Sequence, residues 1–242
     1  MKGAWSLGVV LDPGEVERLL ALGRQVLEKN RVINLTGGRD LPTLVTEHIL
    51  DSLTLIPFIR ERGKTESGDH PLLVDVGSGG GFPALPLAIV RADLTVLCIE
   101  SVSKKARALE QLAAALDLKG VTVANDRAER MAHNSAWREK ADWATARGVG
   151  ALATVCELAL PFLCLGGKLL AQKGPDVVNE IEDVCSTVGQ LGGVARQVLT
   201  VGPDRPGGKH TVVIVEKVES TPSEFPRRPG LPAKRPLRDP RP

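Results

Sequence analysis

The residues best suited to chemistry in this sequence are two acids and a run of glycines that lie in or directly after predicted strands. Asp75 lies inside the apolar run 72–76, and glycines at 77, 79, 80 and 81 come directly after it. Glycines at such a turn let a ligand approach the backbone closely. Glu100 ends the next apolar run, where a carboxylate can accept hydrogen bonds from both ribose hydroxyls of a nucleoside. These residues predict a nucleoside-binding site, and capping of the next helix is the alternative role for Glu100.

The spacing of the glycines discriminates between nucleotide-binding motifs. Counted from Gly77, the dinucleotide motif G-x-G-x-x-G would need a third glycine where Phe82 stands, and the last glycine is not followed by the Lys and Ser or Thr of a P-loop. An acid, one residue and G-x-G-x-G resembles motif I of the S-adenosylmethionine-dependent Rossmann-like methyltransferases. That resemblance implies that Gly77, Ser78 and Gly79 border the methionine part of the cofactor and that Asp75 helps to fix its amino group. For the bare pattern, a generic Rossmann-like turn is the alternative.

The predicted elements place these residues at one edge of a sheet. Helical patterns lie over 84–90, 103–116, about 150–163 and about 175–191, between apolar runs that predict strands. The last two runs have no helical pattern between them, which predicts a terminal antiparallel pair. Ligands bind outside the carboxyl ends of such strands, so Arg147, after the fourth run, is placed at the site. The expected fold is α/β, Rossmann-like class I methyltransferase, with a mostly parallel seven-stranded sheet and an antiparallel last strand. The predicted strands cover 72–76, 94–99, 121–124, 143–146, 168–172, 194–200 and 211–216.

The residues before the first strand favour helices. The pattern Asp-Pro-Gly-Glu at 12–15 is typical of a helix start. Asp40 is predicted to cap a second helix, on which His48, Asp51 and Ser52 share a polar face. Three parts are therefore expected: an N-terminal helical extension over 1–65 packed on the main domain, the Rossmann-like domain over 66–218, and a tail over 219–242.

The positive charge of the chain is concentrated in its last residues. The formal net charge is +2, but residues 225–242 alone carry six basic residues, one acid and six prolines. Prolines at this density exclude a regular helix and favour an extended segment. A basic extended arm is suited to RNA phosphates, and a solvated tail is the alternative. The candidate RNA-binding residues of this segment are Arg227, Arg228, Lys234 and Arg235.

The composition is that of a globular protein of one α/β domain. The chain has 242 residues, of which 43% are hydrophobic and 25% charged, and no apolar run reaches the roughly 18 residues of a membrane helix. The first residues do not lead into a secretory signal, so the cytoplasm is the expected location. The four cysteines form no C-x-x-C pair and are predicted to be small buried residues rather than zinc ligands or disulfides, so we expect no metal site.

Several segments together resemble one family, the bacterial small-subunit ribosomal RNA guanine-N7 methyltransferase G family, also called glucose-inhibited division protein B. The resemblance covers roughly residues 30–237. Lys29, where the family often has Trp, and Ala146, where Ser commonly precedes the arginine, depart from its pattern. The matching segments are Asn34-Leu-Thr, His48-Ile-Leu-Asp-Ser, Asp75 to Pro83, Arg147, Lys173-Gly174 and the tail from Phe225 to Leu237.

The resemblance implies a cofactor, a substrate and a set of site residues. The cofactor would be S-adenosylmethionine, and the partner would be 16S ribosomal RNA or the small ribosomal subunit, bound by a monomer. Guanine N7 has a lone pair and no proton, so no general base is expected, and His48, Arg147 and Lys173 are assigned to positioning. The implied cofactor contacts are Gly77, Phe82, Glu100, Ala128, Glu129 and Arg147, and further RNA-binding candidates are Asn34, His48, Arg127, Lys173, Lys209 and His210.

Three alternatives remain open from the residues themselves. A dehydrogenase of the same broad fold is disfavoured by Phe82 in place of the third glycine. A methyltransferase acting on another RNA or on a small molecule would keep the same glycine loop. A non-catalytic nucleotide- or RNA-binding module would keep the basic tail without needing Asp75 and Glu100, and both acids are present.

Overall fold

A computed structural model describes residues 2–59, 70–174, 177, 180–181, 184–201 and 210–238. They form one seven-stranded sheet in the order β3-β2-β1-β4-β5-β7-β6, in which β7 runs antiparallel to both of its neighbours. The predicted fold class is therefore confirmed, including the antiparallel last strand. The strands are β1 (Leu72–Val76), β2 (Thr95–Ile99), β3 (Val121–Ala124), β4 (Ala141–Arg147), β5 (Leu163–Lys173), β6 (Gly193–Val201) and β7 (His210–Lys217).

The helices cover both faces of the sheet. Alternating residues of the central strands point to opposite sides, so that Leu73 and Val96 lie in one hydrophobic core while Val74 and Leu97 lie in the other. The helices are α1 (Lys2–Trp5), α2 (Pro13–Asn30), α3 (Leu41–Leu44), α4 (Leu50–Leu53), α5 (Ala84–Val90), α6 (Ser103–Ala115), α7 (Ala128–Met131), α8 (Leu152–Ala159), α9 (Cys185–Gln190) and α10 (Leu231–Lys234).

The N-terminal helices pack on the same side of the sheet as α5 and α6. Asp12 and Glu15 form the predicted capping box at the start of α2, with each side chain bonded to the other residue's backbone nitrogen at 2.8 Å. Leu22 and Val26 of this helix are fully buried in the core that also contains Leu109 of α6. The predicted division at residue 65 lies outside the described residues and stays a prediction.

The second N-terminal helix runs over residues 41–53 as predicted, with a π-helical turn in its middle. Asp40 caps it as predicted, accepting a 2.8 Å hydrogen bond from the backbone nitrogen of Thr43. The π-helical turn over Val45–Ile49 joins α3 to α4 and carries His48. Turns of this kind re-aim side chains, which periodicity in a sequence does not reveal.

Two further predictions need correction. Cys98 and Cys156 are buried as expected, but Cys164 is half-buried and Cys185 is exposed on the short helix α9. The expected helix over about 150–163 ends at Ala159, because Pro161 lies in a 3-10 turn over Leu160–Phe162 that leads into β5. Among the described residues, none of the helices combines the length and apolarity needed to cross a membrane.

The C-terminal tail packs against the domain instead of extending from it. Phe225 and Leu237 contact the core beside α8, and residues 231–234 form the helical turn α10. Arg138 donates to the carbonyl oxygens of Thr221 and Phe225 at 2.7 and 3.0 Å. The expectation of an extended arm is thus wrong for residues 225–238, because apolar anchors and hydrogen bonds to backbone carbonyls hold the segment against the domain while most of its basic side chains stay in solvent.

Candidate functional site

A cleft of about 350 Å³ lies outside the carboxyl ends of β1, β2 and β4. Five segments surround it: the loop after α2, the glycine loop after β1, the end of β2, the start of α6, and the end of β4 with the loop that follows. This is where an open α/β sheet binds its ligand. The lining residues are Leu35, Thr36, Gly77, Ser78, Gly79, Gly80, Phe82, Glu100, Lys105, Arg147, Gly148 and Val149.

The backbone of the glycine loop is closely approached by neighbouring loops. Gly77 and Gly79 have φ values of +73° and +53°, a region that side-chain-bearing residues rarely adopt. A Cβ atom at Gly77 would lie 3.0 Å from Val149, and one at Gly80 would lie 3.2 Å from the carbonyl oxygen of Leu35. The loops after α2 and β4 are therefore packed directly onto the glycines, which gives this part of the cleft a fixed shape.

Asp75 lies beneath the glycine loop, and one of its two carboxylate oxygens is hydrogen-bonded within the protein. Oδ1 accepts a 2.7 Å hydrogen bond from Thr145, whereas Oδ2 is buried and has no hydrogen-bond partner among the described residues. Burial raises the pKa of Asp75 to about 6, since the charged form is poorly solvated there. An unsatisfied buried carboxylate oxygen is suited to a cationic donor. Asp75 does not itself line the cleft, but Ser78 does and donates to the Asp75 carbonyl oxygen at 3.0 Å.

Glu100 is held at the cleft by two backbone donors. Its Oε2 accepts from the nitrogen of Gly79 at 3.0 Å and its Oε1 accepts from the nitrogen of Val102 at 2.7 Å. Each carboxylate oxygen keeps a second lone pair that can accept from a ligand hydroxyl. Val102 precedes the first residue of α6 and has no side-chain capping bond of its own, so the hydrogen bond from its nitrogen to Glu100 is also what a helix-capping role would produce, and the ribose role of Glu100 stays a prediction.

Arg147 joins the end of β4 to the N-terminal helices. Its Nη1 donates to Oδ2 of Asp51 at 2.9 Å and its Nη2 donates to Nδ1 of His48 at 2.8 Å. The guanidinium also lies 5.6 Å from the centre of the Phe82 ring, within cation–π range. Asp51 is almost fully buried and accepts from Gln172 at 3.1 Å as well. The arginine is therefore fixed at the cleft with its charge largely offset.

The contacts of His48 fix its protonation state. Because Nδ1 accepts from Arg147, the ring proton lies on Nε2, which donates to the hydroxyl of Thr36 at 2.6 Å. Burial, and then the positive charge of Arg147, lower the pKa of His48 to about 4. The imidazole is neutral at physiological pH and both of its nitrogens are engaged. That His48 is no general base stays a prediction.

Lys173 contacts a neighbouring loop. Its Nζ donates to the carbonyl oxygen of Gly150 at 2.7 Å and to Glu180 at 3.2 Å. Glu180 also accepts from the backbone nitrogen of Leu152. Lys173 thus braces the loop after β4, whose Val149 packs on the glycine loop.

The remaining site candidates are spread more widely. Ala128 and Glu129 are buried in α7, where Glu129 accepts from the backbone nitrogen of Gly230 at 2.8 Å. Neither is among the residues that line the cleft. His210 contacts Asp51 at 3.4 Å. Asn34 and Arg127 are exposed, and Lys209 lies outside the described residues.

The basic residues of the tail have different surroundings. Arg227 donates to fully buried Glu157 from its backbone nitrogen, Nε and Nη2, so its guanidinium is engaged inside the fold. Arg228, Lys234 and Arg235 are exposed, and their RNA role stays a prediction.

Sequence reasoning missed several residues that build the site. Asp51 and Thr36 lie in segments that carry the family resemblance, but the sequence analysis assigns neither a role; for Asp51, its spacing of three residues from His48 is a further signal. Thr145 and Gln172 have no such signal, because their partners are distant in sequence. Among the described residues, no cluster of His, Cys, Asp and Glu could hold a metal ion.

The comparisons with known proteins agree on one family. The model of the GidB family, described as rRNA small subunit methyltransferase G, matches residues 15–205. The chain is 40% identical over 237 residues to the Ribosomal RNA small subunit methyltransferase G of Roseiflexus castenholzii, with 97% of each chain covered. It is 32% identical over 238 residues to the protein of that name from Alkaliphilus metalliredigens, covering 98% of this chain and 96% of the relative.

The solved structures support the fold. A 16S rRNA adenine-N1 methyltransferase from Catenulisporales acidiphilia superimposes with a TM-score of 0.51 at 15% identity, over 64% of this chain and 89% of that one. At this identity the likeness concerns architecture alone. The family match and the relatives at 30–40% identity carry the assignment: this chain belongs to the GidB family of rRNA small subunit methyltransferase G proteins.

Proposed function

We propose that this protein transfers the methyl group of S-adenosylmethionine to N7 of a guanine in the 16S RNA of the small ribosomal subunit. The observation that carries the chemical part of the proposal is the contact between Arg147 and His48. It occupies Nδ1 of His48, an imidazole beside the cleft, in a site built around a glycine loop. A reaction at guanine N7 needs no base, because this nitrogen has a lone pair and carries no proton.

The residues of the cleft fit the cofactor. Bound S-adenosylmethionine supplies an electrophilic methyl group on a sulfonium centre. The lone pairs of Glu100 are available to the ribose hydroxyls, and the unsatisfied Oδ2 of Asp75 suits the amino group, directly or through a water. The glycine backbone would leave room for the methionine part, and Val149 of the loop after β4 packs on Gly77.

The acceptor side of the site is provided by Arg147, His48 and Phe82. Methylation at N7 leaves a cationic guanine, and an unpaired arginine nearby would oppose that charge. The carboxylate of Asp51 offsets the charge of Arg147, and the neutral His48 adds none. Arg147 can then orient a phosphate or the guanine O6 without a large electrostatic cost. Positioning and electrostatics, rather than proton transfer, are the contribution of these residues.

The proposal includes the partner and the state of the protein. The partner is 16S ribosomal RNA or the assembled small subunit, and the protein acts as a monomer in the cytoplasm, where that RNA is found. Light scattering after gel filtration tests the monomer: a mass near 25.8 kDa is expected.

The decisive experiment maps the methylated base. Purified protein is incubated with isotope-labelled S-adenosylmethionine and either naked 16S RNA or small subunits from a strain lacking this activity. Mass spectrometry of nuclease fragments is expected to find one labelled 7-methylguanine, which Glu100→Ala protein should form much more slowly at limiting cofactor. A label on another base or another ring atom would refute the assignment, as would no label with either RNA substrate.

A further inference from the structure

The start of α6 carries an unusual concentration of positive charge. Lys104, Lys105 and Arg107 lie in its first two turns, with Glu110 as the first acid of the helix. Cations are slightly unfavourable near a helix N-terminus, because the helix dipole is positive there. Lys104 and Arg107 are exposed, and neither forms an ion pair with a described residue. Their charges are therefore free to meet an external anion.

The end of α2 brings more positive charge to the same surface. Lys104, Arg107 and Gln111 follow one stripe of α6 at spacings of three and four residues. Lys29, in the last turn of α2, donates to the side chain of Gln111 at 2.6 Å. Arg31 follows directly after α2 and is exposed. Two elements distant in sequence are thus packed so that their cations share one face.

This face continues into the cleft. Lys105 lines the cleft from the α6 side, and Leu35 and Thr36 line it from the loop after α2. Exposed Asn34 lies on that loop. In the C-terminal tail, by contrast, the charge of Arg227 is already paired with that of buried Glu157.

We propose that Lys29, Arg31, Lys104, Lys105 and Arg107, here called the α2–α6 basic surface, bind phosphates of the ribosomal RNA that flank the target guanine. The inference rests on the proposed function, because it assumes that the substrate in the cleft is RNA. Phosphates are the anions expected beside a nucleotide acceptor, and contacts with them position RNA without reading its sequence. Lysine and arginine at an exposed surface are the usual partners of such phosphates.

The test compares two double variants, one that removes two positive charges from this surface and one that removes two from elsewhere. The double variant Lys104→Gln/Arg107→Gln changes exposed residues that do not line the cleft. The matched control is Lys119→Gln/Lys140→Gln, which alters the net charge equally. These two lysines lie next to the amino ends of β3 and β4, at the end of the strands away from the cleft. RNA binding is measured by filter retention or fluorescence anisotropy at several salt concentrations, with cofactor affinity measured by calorimetry.

The α6 variant should bind small-subunit RNA about 10-fold more weakly near 0.15 M salt, with a log K against log salt slope smaller by about 1.5. The control should match the wild type, and cofactor affinity should be the same for all three. An α6 variant that matches the control would overturn the inference while leaving the proposed function intact. If the wild-type protein neither binds nor methylates this RNA, the proposed function fails and the inference fails with it.

Discussion

Replacing Arg227 with methionine should destabilise the protein, because this guanidinium is the partner of a carboxylate that has no access to solvent. Arg227 donates to Glu157 from Nε at 2.8 Å and from Nη2 at 2.6 Å, and its backbone nitrogen adds a bond of 2.8 Å. The side chain of Glu157 is 0% exposed and that of Arg227 is 23% exposed. Methionine keeps the apolar stem and removes the two charged donors.

The magnitude follows from the contacts that remain. Leaving one partner of a buried ion pair unpaired costs about 3–5 kcal/mol. The backbone hydrogen bond to Glu157 survives and Arg227 is partly solvated, so we expect about 3 kcal/mol, at the lower end of that range. For a chain of this size the loss corresponds to a melting temperature lower by about 6–12 °C. Urea unfolding followed by circular dichroism measures the free energy directly.

Two further variants make the measurement interpretable. Arg228→Met removes an equal charge from the adjacent exposed position and should change the free energy of unfolding by less than about 0.5 kcal/mol. Arg227→Met combined with Glu157→Leu removes the stranded carboxylate and should recover part of the loss. Equal stabilities of the Arg227→Met and Arg228→Met proteins would refute a structural role. A lower RNA affinity for Arg227→Met, measured where both are folded, would restore the RNA-arm hypothesis.

Three other changes test the site. Glu100→Ala should weaken S-adenosylmethionine binding by about 1–3 kcal/mol through lost hydrogen bonds to a charged acceptor, whereas calorimetry of Glu110→Ala, on the exposed face of α6, should show no change. Asp75→Asn should raise the melting temperature more at pH 8 than at pH 4. The folded-state pKa of Asp75 is raised to about 6, so the stability contributed by this group is lost as pH rises through that value. Equal shifts of the melting temperature at both pH values would contradict the burial argument. With a pKa of about 4 for His48, the single-turnover rate at saturating RNA should be nearly flat between about pH 6.5 and 8.5, and a steep one-proton rise there would reveal a base.

Local patterns were sufficient wherever a residue's role depends on its neighbours in the chain. The central strands β1 and β2 were recognised because they are apolar runs buried on both faces, and the starts of α2 and the second N-terminal helix because capping depends on residues three apart. The glycine loop was identified by its position after β1, and Glu100 by its position after β2. The family followed from these motifs, and the comparisons confirmed it.

What the sequence by itself determined is therefore the order of elements, the position of the cleft at the carboxyl ends of the strands, and the family. The tertiary structure alone decided which charged side chains are paired inside the protein and which are free to contact a ligand. Arg147 and His48 are 99 residues apart and Arg227 and Glu157 are 70 apart, so no periodicity signals that either pair meets. A histidine's tautomer, an arginine's partner and a carboxylate's burial depend on atoms brought together by packing. For that reason six basic residues in a proline-rich tail predicted an RNA arm, whereas the folded chain places Arg227 inside the domain.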